Sequence, residues 1–291
     1  MGGPGVPRTS RGIANVSRWE LQQRFRYTYD GPVSRLRQRL VVVPPERHGG
    51  QRCSRYELRV NGGEGQMEFS RDSFANIVAR AHVPSVTDSI EFELLAHIEH
   101  QEPAAIVLPW SALQDPRYLG QTALTAADEQ IREVAREIFA RAKNSEHAAE
   151  EICGRVHEAM AYKKGRTSVS TTAAEAFALG CGVCQDHAHV MLAMCRSSGL
   201  AARYVSGHLV GEGATHAWVE VILADANATG RALAVAFDPC HGRRTDAHYV
   251  TVAVGRDYAD VAPTSGTYHG HFAGRLVSSN RLVPLGIRAV V

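Results

Sequence analysis

Apolar and polar residues alternate through much of the first third of the chain, with the period of two that is typical of β-strands. The segments with this alternation or with a strand-like composition are residues 25–29, 34–43, 51–60, 66–70 and 76–81. Turn residues such as Asp30-Gly31-Pro32 separate them. The pattern therefore predicts a small β-domain over residues 21–108, which either supports the rest of the chain or helps to select a substrate.

A helical period replaces this alternation in the second half of the chain. Apolar residues spaced three and four apart predict one amphipathic helix around residues 131–139 and another around residues 152–160. A capping box at residues 172–175 predicts a short third helix. Residues 109–124 show little periodicity and are predicted to be a linker, so residues 125–291 are expected to form a second domain.

Composition and charge change this picture little. The chain has 291 residues, enough for about two domains, and its apolar share of 44% can fill two cores. The formal net charge is +2, and no block of Lys and Arg lies beside interleaved aromatic residues, so no nucleic-acid partner is predicted. Residues 1–20 are rich in Gly, Pro and Arg, and are predicted to be a disordered leader.

Targeting signals and cysteine usage indicate the compartment. The first residues lack the apolar stretch of a signal peptide, and no run of 18 apolar residues predicts a membrane segment. The six cysteines are scattered, without the dense spacing of a secreted disulfide framework. We therefore expect reduced thiols, no membrane partner and a cytoplasmic location.

The strongest chemical signal is the stretch from Gly180 to Gly199. A glycine-containing turn leads to Cys184 and then to an apolar helical segment, which ends at Gly199. This places Cys184 in the first turn of a helix. Unsatisfied backbone N–H groups and the positive end of the helix dipole favour a thiolate there, so Cys184 is a candidate nucleophile.

A nucleophilic cysteine requires a base, and the base requires an acceptor that orients it. His216 begins a strand-like segment, residues 216–221, and Asp238 ends another, residues 233–237 followed by Asp-Pro. If these strands are neighbours, both side chains lie at one edge of a sheet. The order of these residues along the chain therefore predicts a site formed by Cys184, His216 and Asp238.

These residues lie in blocks that resemble the bacterial transglutaminase-like superfamily. The blocks are residues 182–186, 199–207, 216–220, 237–239 and 252–263. The resemblance implies an α+β fold with a papain-like core, in which the cysteine helix packs on an antiparallel sheet, preceded by a small all-β sandwich-like domain. It also implies that Cys184 is the nucleophile, His216 the base and Asp238 the orienting acid. The chain departs from the family pattern at Ala75 and at Cys240-His241.

The implied reaction is acyl transfer through a thioester, with a peptide, protein or amide as substrate and with no cofactor or metal. Hydrolysis by a cysteine peptidase or amidase is favoured. Transfer to an amine, as in a transglutaminase, and a catalytically silent papain-like binding module remain alternatives. The oligomeric state and the second oxyanion donor stay open, although the Cys184 N–H is the expected first donor.

Other assignments compete at the same stretch. Cys181 and Cys184 form a Cys-x-x-Cys that, with His187 and His189, could bind zinc or act as a redox pair, but no second ligand pair follows. A regulatory Cys181–Cys184 disulfide also rests on this spacing. His187 lies three residues from Cys184 and could replace His216 as the base.

Several residues are expected to be structural. Asp186 is predicted to brace the helix start, and packing roles are favoured for His189, Cys195 and His208. Trp218 is on the His216 face of its strand and could form a wall of the pocket or a part of the core. A row of arginines, Arg35, Arg37 and Arg39, is more typical of a solvated sheet face than of an anion-binding surface.

Overall fold

A computed structural model describes residues 14–101 and 105–290, which form a β-domain and a second part in which helices pack on a sheet. The strands of the first part are β1 (Ala14–Tyr29), β2 (Val33–Val43), β3 (Arg47–His48), β4 (Gln51–Asn61), β5 (Gln66–Arg71), β6 (Ile77–Val86) and β7 (Ser89–Gln101), and β8 (Ile106–Pro109) joins the second part by pairing with the strand of residues 231–238. A 3-10 helix (Trp110–Gln114) and helices α1 (Pro116–Leu119), α2 (Glu129–Arg141) and α3 (Ser145–Ala159) follow.

The site-bearing elements occupy the remaining chain. They are β9 (Ala161–Tyr162), α4 (Ala173–Leu179), β10 (Cys181–Gly182), α5 (Cys184–Ser197), β11 (Ala202–Leu209), β12 (His216–Ala224), β13 (Arg231–Asp238), β14 (Arg243–Arg244) and β15 (Tyr249–Gly255). The chain ends with α6 (Tyr258–Val261), β16 (Thr264–His269) and β17 (Gly274–Val290).

Two antiparallel sheets form the β-domain. One has the order β17-β1-β7-β4-β3 and the other the order β16-β2-β6-β5. Alternate residues of both sheets, such as Phe25, Leu40 and Phe92, are buried in one shared core. The predicted sandwich-like domain is thereby confirmed, and its alternating pattern reflects one buried face per strand.

The second part is a helix-on-sheet layer that fits the predicted α+β, papain-like core. Its antiparallel sheet has the order β14-β13-β12-β11-β15, and α5 packs against it. Residues of α2 and α3, such as Ile131 and Ile152, cover α5 from the other side. Because α5 is enclosed on nearly every side, all of its residues from Gln185 to Arg196 are buried, the polar ones included.

The end of the chain corrects the predicted second domain of residues 125–291. β16 pairs with β2, and β17 pairs with β1, so residues 264–290 complete the two sheets of the β-domain. The core is therefore shorter than predicted. A strand's own pattern does not reveal a partner that is more than 200 positions away in the sequence.

The leader and the linker are also corrected. Of the predicted disordered leader, residues 1–20, residues 14–20 lie in β1, held by pairing with β7 and β17, and residues 1–13 lie outside the described residues. The predicted linker, residues 109–124, is mostly short helix, and its Ala112 and Tyr118 are buried beside core-sheet residues. Within the described ranges, no helix is both long and apolar enough to cross a membrane.

Candidate active site

The start of α5 is built by residues on both sides of Cys184. α4 begins with the predicted capping box, in which Thr172 and Glu175 bond reciprocally, and ends at Gly180 in a left-handed conformation with φ of 59°. β10 then pairs with β9 and leads directly into α5. This short connection fixes Cys184 as the first residue of the helix, with partial exposure to solvent.

Asp186 braces this helix start, as predicted. Its Oδ2 accepts hydrogen bonds from the Val183 N–H and from the Thr167 hydroxyl, both at 2.7 Å. A Cβ at position 182 would lie 2.5 Å from this carboxylate oxygen, so the position requires glycine. The Asp186 carboxylate is thus committed to the backbone of the turn that positions Cys184.

The structure brings Cys184, His216 and Asp238 together at one end of the core sheet. His216 is the first residue of β12 and Asp238 the last residue of β13, and the antiparallel pairing of these strands places both side chains at the same edge. His216 Nε2 donates to Asp238 Oδ2 at 2.7 Å. The His216 ring also forms a hydrogen bond with the Cys184 thiol. Thiol, imidazole and carboxylate therefore form one connected series.

Electrostatics favour the charged form of both His216 and Asp238. Burial disfavours the imidazolium, but hydrogen bonds to Asp238 and Cys184 outweigh it and raise the pKa of His216 to about 10. Burial would raise the pKa of Asp238, yet hydrogen bonds from His216, His241 and Tyr249 hold it well below its usual range. The arrangement favours an imidazolium next to the thiol, which is the partner a thiolate needs.

Asp238 accepts five hydrogen bonds, and the sequence predicted only the one from His216. Oδ2 accepts from His216, from His241 Nδ1 and from the Tyr249 hydroxyl, each at 2.7 Å. Oδ1 accepts from the backbone N–H groups of Cys240 and His241. The departure at Cys240-His241 signalled altered hydrogen bonding here, whereas nothing local identified Tyr249, which arrives from β15.

Metal-donating groups also converge on Asp238. The donor atoms of His216, Asp238 and His241 lie within 4.8 Å of one another, so these side chains can approach a common ion. Their contacts have hydrogen-bond lengths, and the carboxylate serves both rings as acceptor. Glu212, which is partly exposed, adds a second carboxylate near the outer nitrogens of both rings.

The residues of the alternative assignments around the Cys-x-x-Cys, namely His187, His189 and Cys181, have other surroundings in the structure. Both ring nitrogens of His187 face backbone carbonyls, those of Val183 at 2.9 Å and Met160 at 3.1 Å. Burial lowers the pKa of His189 to about 4, and its Nε2 accepts from the Tyr258 N–H. Cys181 is buried. The imidazoles of His187 and His189 thus form hydrogen bonds with backbone groups, and neither faces the Cys184 thiol as an alternative base.

The residues expected to be structural lie mostly in the core. Burial raises the pKa of Cys195 to about 12, and burial lowers that of His208 to about 4, so the neutral His208 ring accepts from the Gln23 amide at 2.8 Å. Trp218 is buried, with its ring centroid 6.3 Å from that of His216 and 5.3 Å from that of Tyr249. Trp218 therefore belongs to the core and packs against the buried side of the His216 ring.

Tyr162 is a further site residue that the sequence did not reveal. It lies on β9, opposite Gly182 of β10, and its side chain is exposed. Partial burial and then the charge of Cys184 raise the pKa of its phenol, so the phenol is within electrostatic range of the thiol. Its only sequence signal was an aromatic residue just before a glycine-containing loop.

Comparisons with known proteins identify the family and the fold of the chain. The family described as "Bacterial transglutaminase-like N-terminal region" matches residues 19–99, and the "Transglutaminase-like superfamily" matches residues 132–230, which include Cys184 and His216. An uncharacterised protein of Mycobacterium tuberculosis is 28% identical over 280 residues, covering 87% of this chain and 88% of the relative. One of Mycobacterium leprae is 33% identical over 194 residues, covering 60% and 66% respectively.

A solved structure shows the same fold along nearly the whole chain. A candidate cysteine protease from Cytophaga hutchinsonii aligns with a TM-score of 0.73 over 93% of this chain and 91% of that one, at 18% identity. The alignment spans the β-domain as well as the core, so both parts recur together in that protein.

Proposed function

The chain belongs to the transglutaminase-like superfamily, and we propose that it is a thiol-dependent enzyme that cleaves amide bonds through a thioester on Cys184. The observation that carries the proposal is the connected series of Cys184, His216 and Asp238, with the thiol at the start of α5. The expected substrate is a peptide, a protein or another amide.

In the proposed first half-reaction, the Cys184 thiolate attacks the amide carbonyl and forms a C–S bond. His216 Nδ1, on the side of the ring away from Asp238, gives its proton to the departing amine as the C–N bond breaks. Asp238 stays ionised and holds Nε2–H, so the ring remains oriented and its positive charge is compensated.

In the second half-reaction, water attacks the thioester while His216 accepts its proton, and the carboxylic acid leaves as the thiolate returns. The backbone N–H of Cys184 at the start of α5 is the proposed first donor to the oxyanion. Tyr162 is our candidate for the second donor, because it pairs with Gly182 of β10, two residues before Cys184, and the charge of Cys184 raises the pKa of its exposed phenol.

We assign the β-domain a supporting role, because its side chains bond to the core sheet that bears the site. Gln51 of β4 bonds to both backbone groups of Thr251, and Asn76 bonds to those of Val254. His48 contacts Glu220 of β12 at 2.6 Å. The cytoplasmic location remains our prediction, and it suits a mechanism that requires a reduced thiol.

The test is brief alkylation with iodoacetamide at mildly acidic pH, read as intact mass. We expect one fast label in the wild type, its loss in Cys184→Ala and slower labelling in His216→Ala. Cys240→Ser is the matched control, because Cys240 is also partly exposed and burial raises its pKa. Slow labelling that is shared equally by Cys184 and Cys240 would contradict an activated thiol.

Peptide and amide libraries then test the reaction itself. Products that gain water support hydrolysis, whereas products that gain an added primary amine support the transglutaminase alternative. Fast labelling of Cys184 without turnover of any substrate would favour the silent binding module.

A further inference from the structure

We infer that the mouth of this site binds a zinc-like transition-metal ion through Cys184, Glu212, His216 and His241, and that the bound ion blocks the thiol. The inhibitory consequence rests on the proposed function, whereas the binding itself does not. Two of these ligands, Glu212 and His241, lie outside the three residues that the resemblance assigns to catalysis.

The first observation is that one buried carboxylate orients both histidines. His216 Nε2 and His241 Nδ1 each donate to Asp238 Oδ2 at 2.7 Å, and their ring centroids are 5.2 Å apart. Since these nitrogens hold the protons, the opposite nitrogens, His216 Nδ1 and His241 Nε2, are the ones that can offer lone pairs. A carboxylate that fixes the tautomer and orientation of a histidine is the usual support for a metal ligand.

The second observation is that Glu212 lies against both of those nitrogens. One carboxylate oxygen is 3.4 Å from His216 Nδ1 and the other is 3.5 Å from His241 Nε2. Ligands bound to tetrahedral zinc at about 2.0–2.1 Å are separated by roughly 3.3 Å. The side chains of Glu212 and His241 are 39% and 36% exposed, so an ion can reach them and both can adjust toward it.

The third observation is the thiol. Cys184, the partly exposed first residue of α5, bonds to the His216 ring, and because Asp238 holds Nε2 of that ring, the sulfur lies on the Nδ1 side. Thiolate, two imidazoles and one carboxylate form a donor set that zinc prefers over magnesium or calcium, which favour oxygen ligands.

Proton and charge balance are consistent with this ligand set. The Cys184–His216 pair holds one proton between sulfur and Nδ1, and that proton passes to solvent when sulfur and Nδ1 bind the ion. His241 keeps its Nδ1–H on Asp238, and Glu212 contributes its carboxylate. The two positive charges of the ion are then matched by one thiolate and one carboxylate, and binding should strengthen as pH rises.

The experiment measures zinc binding in two independent ways on the full chain. Competition with a chromophoric zinc chelator gives the affinity, and the iodoacetamide labelling rate of Cys184 in buffered zinc gives the protection. We expect zinc to abolish fast labelling of the wild type and EDTA to restore it. Each variant is compared with its own zinc-free rate.

The variants Glu212→Gln and His241→Ala separate this site from ordinary binding of zinc by a thiol. Each should require at least about tenfold more zinc for the same protection. His248→Ala is the matched control, because His248 is another exposed histidine bonded to a carboxylate, Asp246, and should retain the wild-type zinc response.

Equal zinc affinity in the wild type, Glu212→Gln and His241→Ala would overturn the inference, since the ion would then need only Cys184 and His216. Absence of zinc binding to the wild type would overturn it as well. Slow labelling of Cys184 without zinc would instead contradict the proposed function, and the chelator competition would still decide the metal site.

Discussion

Two fully buried carboxylates, Glu220 on β12 and Asp238 on β13, lie on neighbouring strands of one sheet but have different partners. Arg203 contacts Glu220 through Nε at 2.7 Å and Nη2 at 2.6 Å, and His48 contacts the other oxygen. Asp238 is held by two imidazoles, a phenol and two backbone N–H groups.

The partners determine what each carboxylate can do. A guanidinium keeps its proton at every ordinary pH, so the charge of the Glu220 pair is fixed and the pair acts as a tie between strands and domains. The charge beside Asp238 resides on an imidazole that also touches a thiol, so a proton can move there. Similar burial therefore gives a structural ion pair in one place and a candidate catalytic group in the other.

Asp238→Asn should have the largest effect on activity. The amide can donate to His216 and stabilise the wrong tautomer, so turnover should fall by about 10³- to 10⁴-fold. The measurement is turnover of a substrate identified in the library, together with the rate of Cys184 alkylation. Near-normal turnover of this variant would remove Asp238 from the proposed triad.

Glu220→Gln should instead lower the stability of the protein and leave the reactivity of Cys184 unchanged. Removing the negative charge leaves the buried Arg203 guanidinium unpaired, so the free energy of unfolding should fall by about 3–5 kcal/mol. Alkylation of Cys184 in the folded fraction should stay close to wild type. Urea unfolding measures the first quantity, and an unchanged unfolding free energy would mean that Glu220 is no structural tie.

The dependence of stability on pH should also separate the two carboxylates. Burial opposes ionisation of Glu220, but Arg203 and His48 lower its pKa from 4.5 to about 2, so its stabilisation is present above pH 4.5 and is lost toward pH 2. The pKa of His216 is raised from 6.5 to about 10, so its stabilisation is complete below pH 6.5 and is lost toward pH 10.

Because the His216 contribution is lost as pH rises and the Glu220 contribution is not, the two can be separated at alkaline pH. Above about pH 8.5, where an unfolded cysteine has lost its proton while the Cys184–His216 pair still holds one, the wild type should lose up to about 1.4 kcal/mol of unfolding free energy per pH unit, and His216→Asn should lose less. Glu220→Gln should keep the alkaline loss of the wild type. Urea unfolding at several pH values measures the slopes, and equal slopes in wild type and His216→Asn would contradict the raised pKa.

The sequence could predict the members of the site that have local signals. A glycine turn before an apolar helix indicated Cys184, and strand ends indicated His216 and Asp238. Helices and most strands of the β-domain followed from their periods. Tyr249, a further partner of Asp238, could not be predicted in this way, because it comes from β15. Nor could the contact of Glu212 with His216, because Glu212 lies in the loop between β11 and β12. The return of β17 to β1 was equally invisible, since it joins the two ends of the described chain.

Tyr249→Phe should have the smallest effect on turnover. This variant tests whether the function of Asp238 depends on every one of its hydrogen-bond donors. The phenol donates to Asp238 at 2.7 Å, and burial together with the carboxylate charge raises the pKa of this hydroxyl, so it stays a donor at neutral pH. Its loss leaves four donors on Asp238. The activation free energy should rise by about 1 kcal/mol, which lowers turnover roughly fivefold. Because Phe keeps the aromatic packing against Trp218, the fold should be preserved, which thermal unfolding checks. A loss as large as that of Asp238→Asn would show that the phenol, and not the histidines, governs the carboxylate; no loss at all would show that the remaining four donors suffice.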